Sequence, residues 1–568
     1  MEEDNGTGSA IDRRGFVKLA GAGAVSASLA GCAGNSESGS DTEAGTEAGT
    51  ATESGSEDQE TGGATETTEV PEFKWLLVGS VTSLDPGAAT DWPTTMAAVN
   101  YYNPLITIDP EEKKPVANIA TEWTIEDDGT TWVFSLRDDV TFHNGDPLTA
   151  EDVAYSLNRI IGANLALSYN WEGTVEAGGA SARDESTVEI KTKRPFGVLL
   201  STLVRLFVVN SAVVEENAED EWGTNYLDTA VAGSGPYTLP EPLSTGDPEE
   251  LEYVAYEDYW EGWDENSFRR VRMQKVKEPS TIKSLMKNGE AHMTSPFLSR
   301  ETYAEMDGYD GVSSVTEPRF ATWHISMHTR KEPTDDLHVR KALAHAYDYQ
   351  AAIENILGGE HAAGPVPVGM YAHNDDVEPY EQNLEKARAE LEKSDYTVDE
   401  INEIGLEHAY VSGIDRQRKL SLVLQNSLSE LGIEVKGNPL PWPQMVDRTT
   451  QQGTTPHMMN LWFGSPHPSP DAFLTLHYHP SALGTYNGLS WFTTDELTQL
   501  LDEARSTLDL EERTQLYKEA QPIIADNYPG IYISNPPFRT ALNDGVGGFQ
   551  IYGTMGFEGQ FHKLDWTG

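Results

Sequence analysis

Residues 119–161 read IATEWTIEDDGTTWVFSLRDDVTFHNGDPLTAEDVAYSLNRII. Trp123 and Ile125 alternate with polar residues, Asp127-Asp128-Gly129-Thr130 supplies a turn, and Trp132, Phe134 and Leu136 alternate again. Two strands around a tight turn are expected. Val140 and Phe142 mark a further short extended piece, closed by Asn144-Gly145. Pro147 and Thr149 then introduce a helix. Thr149 and Asp152 stand at capping-box spacing, with Asp in place of the usual Glu or Gln. Val153, Leu157, Ile160 and Ile161 share one helical face, which should be core.

The chain around this stretch has 568 residues, enough for more than one domain and for sizeable cores. It carries 39 Lys and Arg against 92 Asp and Glu, a formal charge of −53. Nucleic acid is excluded as a natural partner, because phosphate binding needs basic patches. The acids are spread over the whole sequence, a pattern that fits a surface adapted to high salt, where screening removes most self-repulsion. No acidic run has calcium-loop spacing. The single cysteine, Cys32, rules out an intramolecular disulfide and a cysteine zinc site.

The position of Cys32 is informative. Arg13-Arg14 followed by Phe16 and Lys18 resembles a Tat export signal. Residues 19–29 form a weakly apolar stretch, too short for a membrane span. Leu29-Ala30-Gly31-Cys32 resembles a lipobox, in which the cysteine is lipidated and becomes the mature N-terminus. Residues 1–32 are therefore read as a lipoprotein signal. Residues 33–70 hold Ser, Thr, Gly and Glu with almost no large apolar residue, and are expected to form a disordered tether.

The order of residues within 119–161 resembles the signature of the family 5 extracytoplasmic solute-binding proteins of ABC importers, the binders of dipeptides, oligopeptides and nickel. The match is carried by Trp123, Asp128-Gly129-Thr130, Phe134, Leu136-Arg137, Val140, Phe142-His143, Gly145, Pro147-Leu148-Thr149-Ala150, Asp152-Val153 and Ser156. Further matches in consistent order include Leu84-Asp85-Pro86, Tyr102-Asn103-Pro104-Leu105, Gly233-Ser234-Gly235-Pro236-Tyr237 and the helix-like run at residues 335–353. The resemblance implies an α/β, two-lobed fold of the periplasmic-binding-protein type II kind, with an extra subdomain inserted in the first lobe. It places lobe I at residues 71–318 plus 530–568, the subdomain at about 115–228, and lobe II at 319–529. It further implies hinge closure over a ligand, delivery to a permease, a monomeric state and no cofactor.

A ligand between lobes needs a concave, largely apolar lining with a few placed polar groups. The richest stretch is residues 458–474, MMNLWFGSPHPSPDAFL, where a strand ending in Trp462-Phe463 gives way to a Pro-rich loop. In peptide-binding relatives the equivalent loop carries an aspartate that pairs with the peptide amino terminus. Alignment on Pro470-Asp471 puts Pro466 at that position, so this chain departs from the pattern. Candidate ligand contacts are Asn460, Trp462, Phe463 and Asp471 here, with Trp92 and Tyr101 in the first lobe, Trp323 at the crossing, Trp442 and Trp491 in the second lobe, and Tyr532 on a strand read as returning to the first lobe. Aromatic side chains give large rigid contact area; the plain alternative for each is core packing. His477 and His479 would share one side of an extended strand, yet no third ligand joins them or His467 at familiar spacing, so no metal site is assigned. No G-x-S-x-G, H-E-x-x-H, P-loop or Rossmann glycine pattern is present. The chain reads as a binder rather than an enzyme, with peptide as the expected ligand. An exported enzyme or sensor, or a binder of oligosaccharide or metal chelate, is the alternative.

Overall fold

The computed structural model describes residues 70–568 apart from 245 and 246. Arg13, Arg14, Cys32 and the tether up to residue 69 lie outside the described residues. Two mixed β-sheets organise the body. The first has seven strands in the order Val312–Glu317, Phe538–Asn543, Met293–Thr294, Phe73–Leu77, Arg270–Lys275, Glu250–Ala255 and Tyr237–Thr238. The second has six, in the order Glu360–His361, Gly530–Asn535, Ala321–Met327, Met458–Gly464, Leu406–Val411 and Val435–Leu440.

Each sheet is built on a strand buried on both faces. Phe73–Leu77 runs parallel to both its neighbours. Phe73, Trp75 and Leu77 enter the main core, while Leu76 turns to a separate cluster with Ile282, Met286, Tyr303 and Met306. That is the period-2 alternation of a covered strand. Ala321–Met327 is buried at every position and is flanked by antiparallel partners on both sides. Full burial of each large side chain contributes about 1.5–3 kcal/mol.

The stretch at 119–161 folds as its patterning predicts. Ala120–Glu126 pairs with Thr131–Leu136, and these join Thr187–Thr192 and Val175–Asp184 in a four-stranded antiparallel sheet. Gly129 and Gly145 both adopt positive φ, which glycine alone tolerates without strain. Helix Ala150–Gly162 starts at Thr149, whose N–H and hydroxyl both donate to Asp152 Oδ2 at 3.0 and 2.8 Å. Val153, Leu157 and Ile160 are buried, and so is Arg159. Arg159 forks onto Asp85 at 2.9 and 2.6 Å and also donates to the Trp222 carbonyl. It thereby ties the helix to the Leu84-Asp85-Pro86 turn. A Cβ on Gly235 would lie 2.5 Å from the Tyr101 carbonyl carbon, which explains a glycine before Pro236.

One expectation is corrected. Strand Gly530–Asn535, assigned by sequence to the first lobe, pairs with Ala321–Met327 and Glu360–His361 in the second sheet. Alternation alone cannot tell one sheet from another. Among the described residues the chain crosses between these two sheets only at residues 318–320 and at Pro536-Pro537, where proline cannot donate to a ladder.

Candidate functional site

The two sheets meet at a group of aromatic side chains beside these crossings. Trp92, the first residue of helix Trp92–Tyr101, contacts Trp75 edge-on at 5.5 Å and Phe297 at 5.4 Å. Phe297 in turn meets Trp462 of the second sheet edge-on at 6.1 Å. Phe538, just past the return crossing, lies 6.5 Å from Trp92. Trp323 and Trp462 are direct cross-strand partners, and so are Ile325 and Asn460. The period of 2 therefore puts Trp323, Asn460 and Trp462 on one face of the second sheet. The halves also touch around this group. Arg416 donates to the Leu298 carbonyl at 3.1 Å, Arg300 to the Glu354 carbonyl at 2.6 Å, and Gly197 N–H to the Arg505 carbonyl at 2.7 Å. Arg194 pairs with Asp502 at 3.0 Å.

Charged groups sit among these rings. Arg319, on the first crossing, lies 5.1 Å from the Trp462 ring centroid and 5.7 Å from that of Phe538. Burial pulls its guanidinium down to about 10, opposed by the field of Glu558. Arg416 lies 5.7 Å from the Trp323 ring and is likewise pushed down by burial. Glu558 Oε2 accepts from Trp92 Nε1 at 3.2 Å and from Gly556 N–H at 2.8 Å. Burial raises its pKa, and Arg319 works against that. Glu558 Oε1, Asn460 Oδ1, Trp323 Nε1 and Arg319 Nε are buried without a partner among the described residues. Such unpaired polar atoms are uncommon in folded proteins and call for an explanation.

The residues singled out from sequence divide. Trp92, Trp323, Asn460 and Trp462 belong to this group. Asn460 Nδ2 is used internally, on the Gln417 carbonyl. Phe463 and Tyr532 lie on the opposite face, under helix Asp471–Tyr478. Phe463 meets Phe473 and His477 edge-on, and the Tyr532 hydroxyl bonds that of Tyr478 at 2.7 Å. Asp471 accepts at Oδ1 from Thr475 at 2.6 Å and Tyr517 at 3.2 Å, and pairs with Arg505 at 3.3 Å. Tyr101 stacks on Tyr253 at 4.6 Å and donates to the Glu252 carbonyl. Trp442 is 48% exposed and contacts Tyr486. Trp491 stacks on His328 and donates to Thr455.

The histidine reading changes too. His477 lies in helix Asp471–Tyr478 rather than in a strand, and its Nδ1 donates to the Asn487 carbonyl at 2.9 Å. His479 bonds Ser481. His467 is buried with Nδ1 unpartnered, and burial lowers its pKa to about 4, so the ring is neutral at neutral pH. Among the described residues no group of three or more His, Cys, Asp or Glu side chains is disposed to hold a metal ion, and no helix is long and apolar enough to cross a membrane. Sequence reasoning missed Arg319, Arg416, Phe297 and Glu558. The available signal was Arg319 itself, a cation between two strands of an acidic chain.

Comparison with known proteins supplies the context. The chain is 26% identical over 493 residues to the probable D,D-dipeptide-binding periplasmic protein DdpA of Escherichia coli, covering 84% of this chain and 91% of that one. It is 24% identical to heme-binding protein A of Haemophilus influenzae, covering 79% and 84%. The solved structure of the ABC transporter-associated periplasmic binding protein DppA from Helicobacter pylori, in complex with the peptide STSA, superposes with a TM-score of 0.75 at 22% identity, over 88% of this chain and 98% of that one. The fold is thus the two-lobed binding-protein architecture. The model of bacterial extracellular solute-binding proteins, family 5, matches residues 114–485, and the chain belongs to that family.

Proposed function

We propose that the protein captures a solute, in the first instance a peptide, between its two halves and delivers it to the permease of an ABC importer. The observation that carries this reading is the family match across residues 114–485, on a body whose two large sheets are joined, among the described residues, by only two short crossings. Two short crossings form a natural hinge, and a ligand that touches both halves favours the closed form, which would be the form that docks on the permease. In this reading the first lobe is residues 71–318 with 536–568, and the second is 319–535. Trp92, Trp323, Asn460 and Trp462 face the ligand, and the unpaired polar atoms beside them supply its polar contacts.

Export through the Arg13-Arg14 signal and lipidation at Cys32 would hold the protein, as a monomer, on the outer face of the cell membrane. Residues 33–70 would be its tether. The excess of 92 acidic over 39 basic residues supports a high-salt setting.

The decisive experiment is mass spectrometry of whatever co-purifies with the native protein, paired with X-ray scattering before and after its removal. A stoichiometric peptide whose removal expands the molecule is expected. A sugar or metal chelate would change the ligand class and keep the function. Constant scattering and tryptophan fluorescence across peptides, sugars and chelates would overturn the reading, and turnover of a bound molecule would favour an exported enzyme.

A further inference from the structure

Main-chain hydrogen bonds join the two halves at three places among the described residues. Two flank the first crossing: the Phe320 N–H donates to the Gly553 carbonyl at 2.8 Å, and the Met555 N–H to the Ser465 carbonyl at 2.9 Å. The third lies far along the chain from both crossings, where the Gly197 N–H donates to the Arg505 carbonyl at 2.7 Å. Gly197 follows strand Thr187–Thr192 of the four-stranded sheet, and Arg505 is in the last turn of helix Asp495–Ser506.

Further contacts surround that bond. Arg194 pairs with Asp502 at 3.0 Å, and the Arg505 guanidinium lies 5.1 Å from the Phe196 ring centroid. Gly129, in the turn of the first hairpin, faces Leu508, whose Cδ1 would lie 2.6 Å from a Cβ there. Glycine at 129 is explained by its own φ of +90°. Glycine at 197 is not, because its φ lies outside the left-handed region and is open to L residues. What excludes a side chain is the other half: a Cβ on Gly197 would collide with the Thr507 carbonyl oxygen and with Arg513 Nη1. That corner is held in place, since Arg513 donates to the Thr507 carbonyl at 2.7 Å and the Thr507 N–H to the Glu503 carbonyl at 2.9 Å. No other described glycine outside the left-handed region would strike the main chain of the opposite half.

A glycine whose backbone is ordinary, and which is needed only because two halves touch, marks a contact that belongs to closure. The Arg505 side chain also pairs with Asp471, at the end of the Pro-rich loop that follows Trp462, so this corner and the aromatic seam share one loop. We infer that residues 194–197 and 502–513 form a latch that is made when the halves come together, and that the bare backbone of Gly197 sets how fully they close. Such a latch acts on the fraction of closed form and not on the ligand contacts, so it scales the apparent affinity for every solute by the same factor. This rests on the solute-binding reading above and adds a control on its closing step.

The test uses the full chain in four forms: natural, Gly197→Ala, Arg194→Glu, and Arg194→Glu combined with Asp502→Arg. A panel of tripeptides is the probe. Calorimetry reads affinity, X-ray scattering reads compaction, and melting is followed without peptide. Gly197→Ala should bind each tripeptide at least about tenfold more weakly, by a similar factor across the panel. Without peptide it should melt no lower than the natural protein, because the open form has room for the methyl group. Arg194→Glu should weaken binding about threefold, more at low salt than at high, and Asp502→Arg should recover part of that loss. Unchanged affinity and compaction in Gly197→Ala would overturn the latch and leave solute binding standing. A marked drop in its peptide-free melting temperature would make the contact a permanent part of the fold and overturn the latch. A loss that varied strongly from one tripeptide to another would make Gly197 a ligand contact, with the same consequence. Should no tripeptide compact the natural protein, the peptide reading falls and peptide-free scattering decides the latch. It then stands if Gly197→Ala is larger than the natural protein and falls if the two are equal.

Discussion

Arg159 and Arg319 are both buried arginines, and their surroundings differ completely. Arg159 has a carboxylate on two of its nitrogens and a carbonyl on the third. Arg319 has ring faces and no acceptor among the described residues. The first sits inside one half and joins helix Ala150–Gly162 to the turn at Asp85. The second sits where the chain passes between halves. Within the halves the buried guanidinium groups of Arg159, Arg205 and Arg340 all have acceptors, although single buried atoms such as Trp75 Nε1, Trp132 Nε1, Tyr253 Oη and Tyr347 Oη have none. At the seam the whole Arg319 guanidinium is left without one, beside the unpartnered Glu558 Oε1, Asn460 Oδ1 and Trp323 Nε1, which the interior of a binding protein can tolerate when a ligand completes them. The comparison separates structural charges from functional ones by their partners rather than by burial.

Its most demanding test is Arg159→Met. Removing one member of a buried pair leaves Asp85 charged and unsolvated, which costs about 3–5 kcal/mol. Urea unfolding should show that loss, and Asp85→Asn combined with Arg159→Met should recover part of it. A loss under about 1 kcal/mol would place Arg159 with the unmatched charges and break the contrast.

Trp462→Ala probes the seam itself. Trp462 reaches Phe297 of the other half and also packs on Arg319. Truncation should weaken binding of the co-purified ligand at least about tenfold, as at other aromatic hot spots, with a smaller effect on ligand-free stability. Calorimetry and denaturation on the same preparation separate the two. A variant that loses stability and keeps affinity would make Trp462 core.

Glu407 offers a matched charge in the second half whose effect depends on pH. Arg448 forks onto it at 2.5 and 2.8 Å and Asn438 donates at 2.6 Å. Hydrogen bonding from Arg448 is the main cause that lowers its pKa to about 2, against the cost of burial. The folded value lies below the unfolded one, so the stabilisation is complete above about pH 4.3 and is lost as pH falls toward 2. Solvent screens this partly exposed pair, so about 1 kcal/mol is at stake. Glu407→Gln should melt lower than the natural protein at pH 7 and level with it near pH 2. A gap that persists at pH 2 would assign the loss to packing.

How far the sequence reached follows from the range of each interaction. The hairpin and helix at 119–161 were legible because alternation, turn glycines and the Thr149–Asp152 cap act over a few residues. Asp85 and Arg159 lie in motifs that were both recognised, yet they are 74 positions apart, and no local pattern pairs them. The aromatic ligand candidates were chosen by residue type, which cannot tell the two faces of a strand apart without register. Register put Trp462 and Asn460 on the seam side and Phe463 beneath a helix. Arg319 and Phe297 stand outside strands and helices, and Glu558 sits in the three-residue 3-10 helix Phe557–Gly559, too short for periodicity to carry information; only the meeting of the halves brings them together.

The finest test of the contrast uses two tryptophans. Trp92 and Trp323 are both buried at the seam, but Trp92 Nε1 donates to Glu558 while Trp323 Nε1 has no partner. Phenylalanine at either position removes the same atoms and leaves a comparable cavity, so that cost is shared. At position 92 the change also takes a donor from a buried carboxylate whose other oxygen is already unpaired. Trp92→Phe should therefore cost about 1 kcal/mol more than Trp323→Phe in ligand-free denaturation. With the co-purified ligand bound, the order should narrow or reverse if the Trp323 indole N–H donates to that ligand. Equal costs without ligand would mean that the Trp92–Glu558 bond contributes nothing net, and that an unmatched atom at the seam cannot be told from a matched one by its effect on stability.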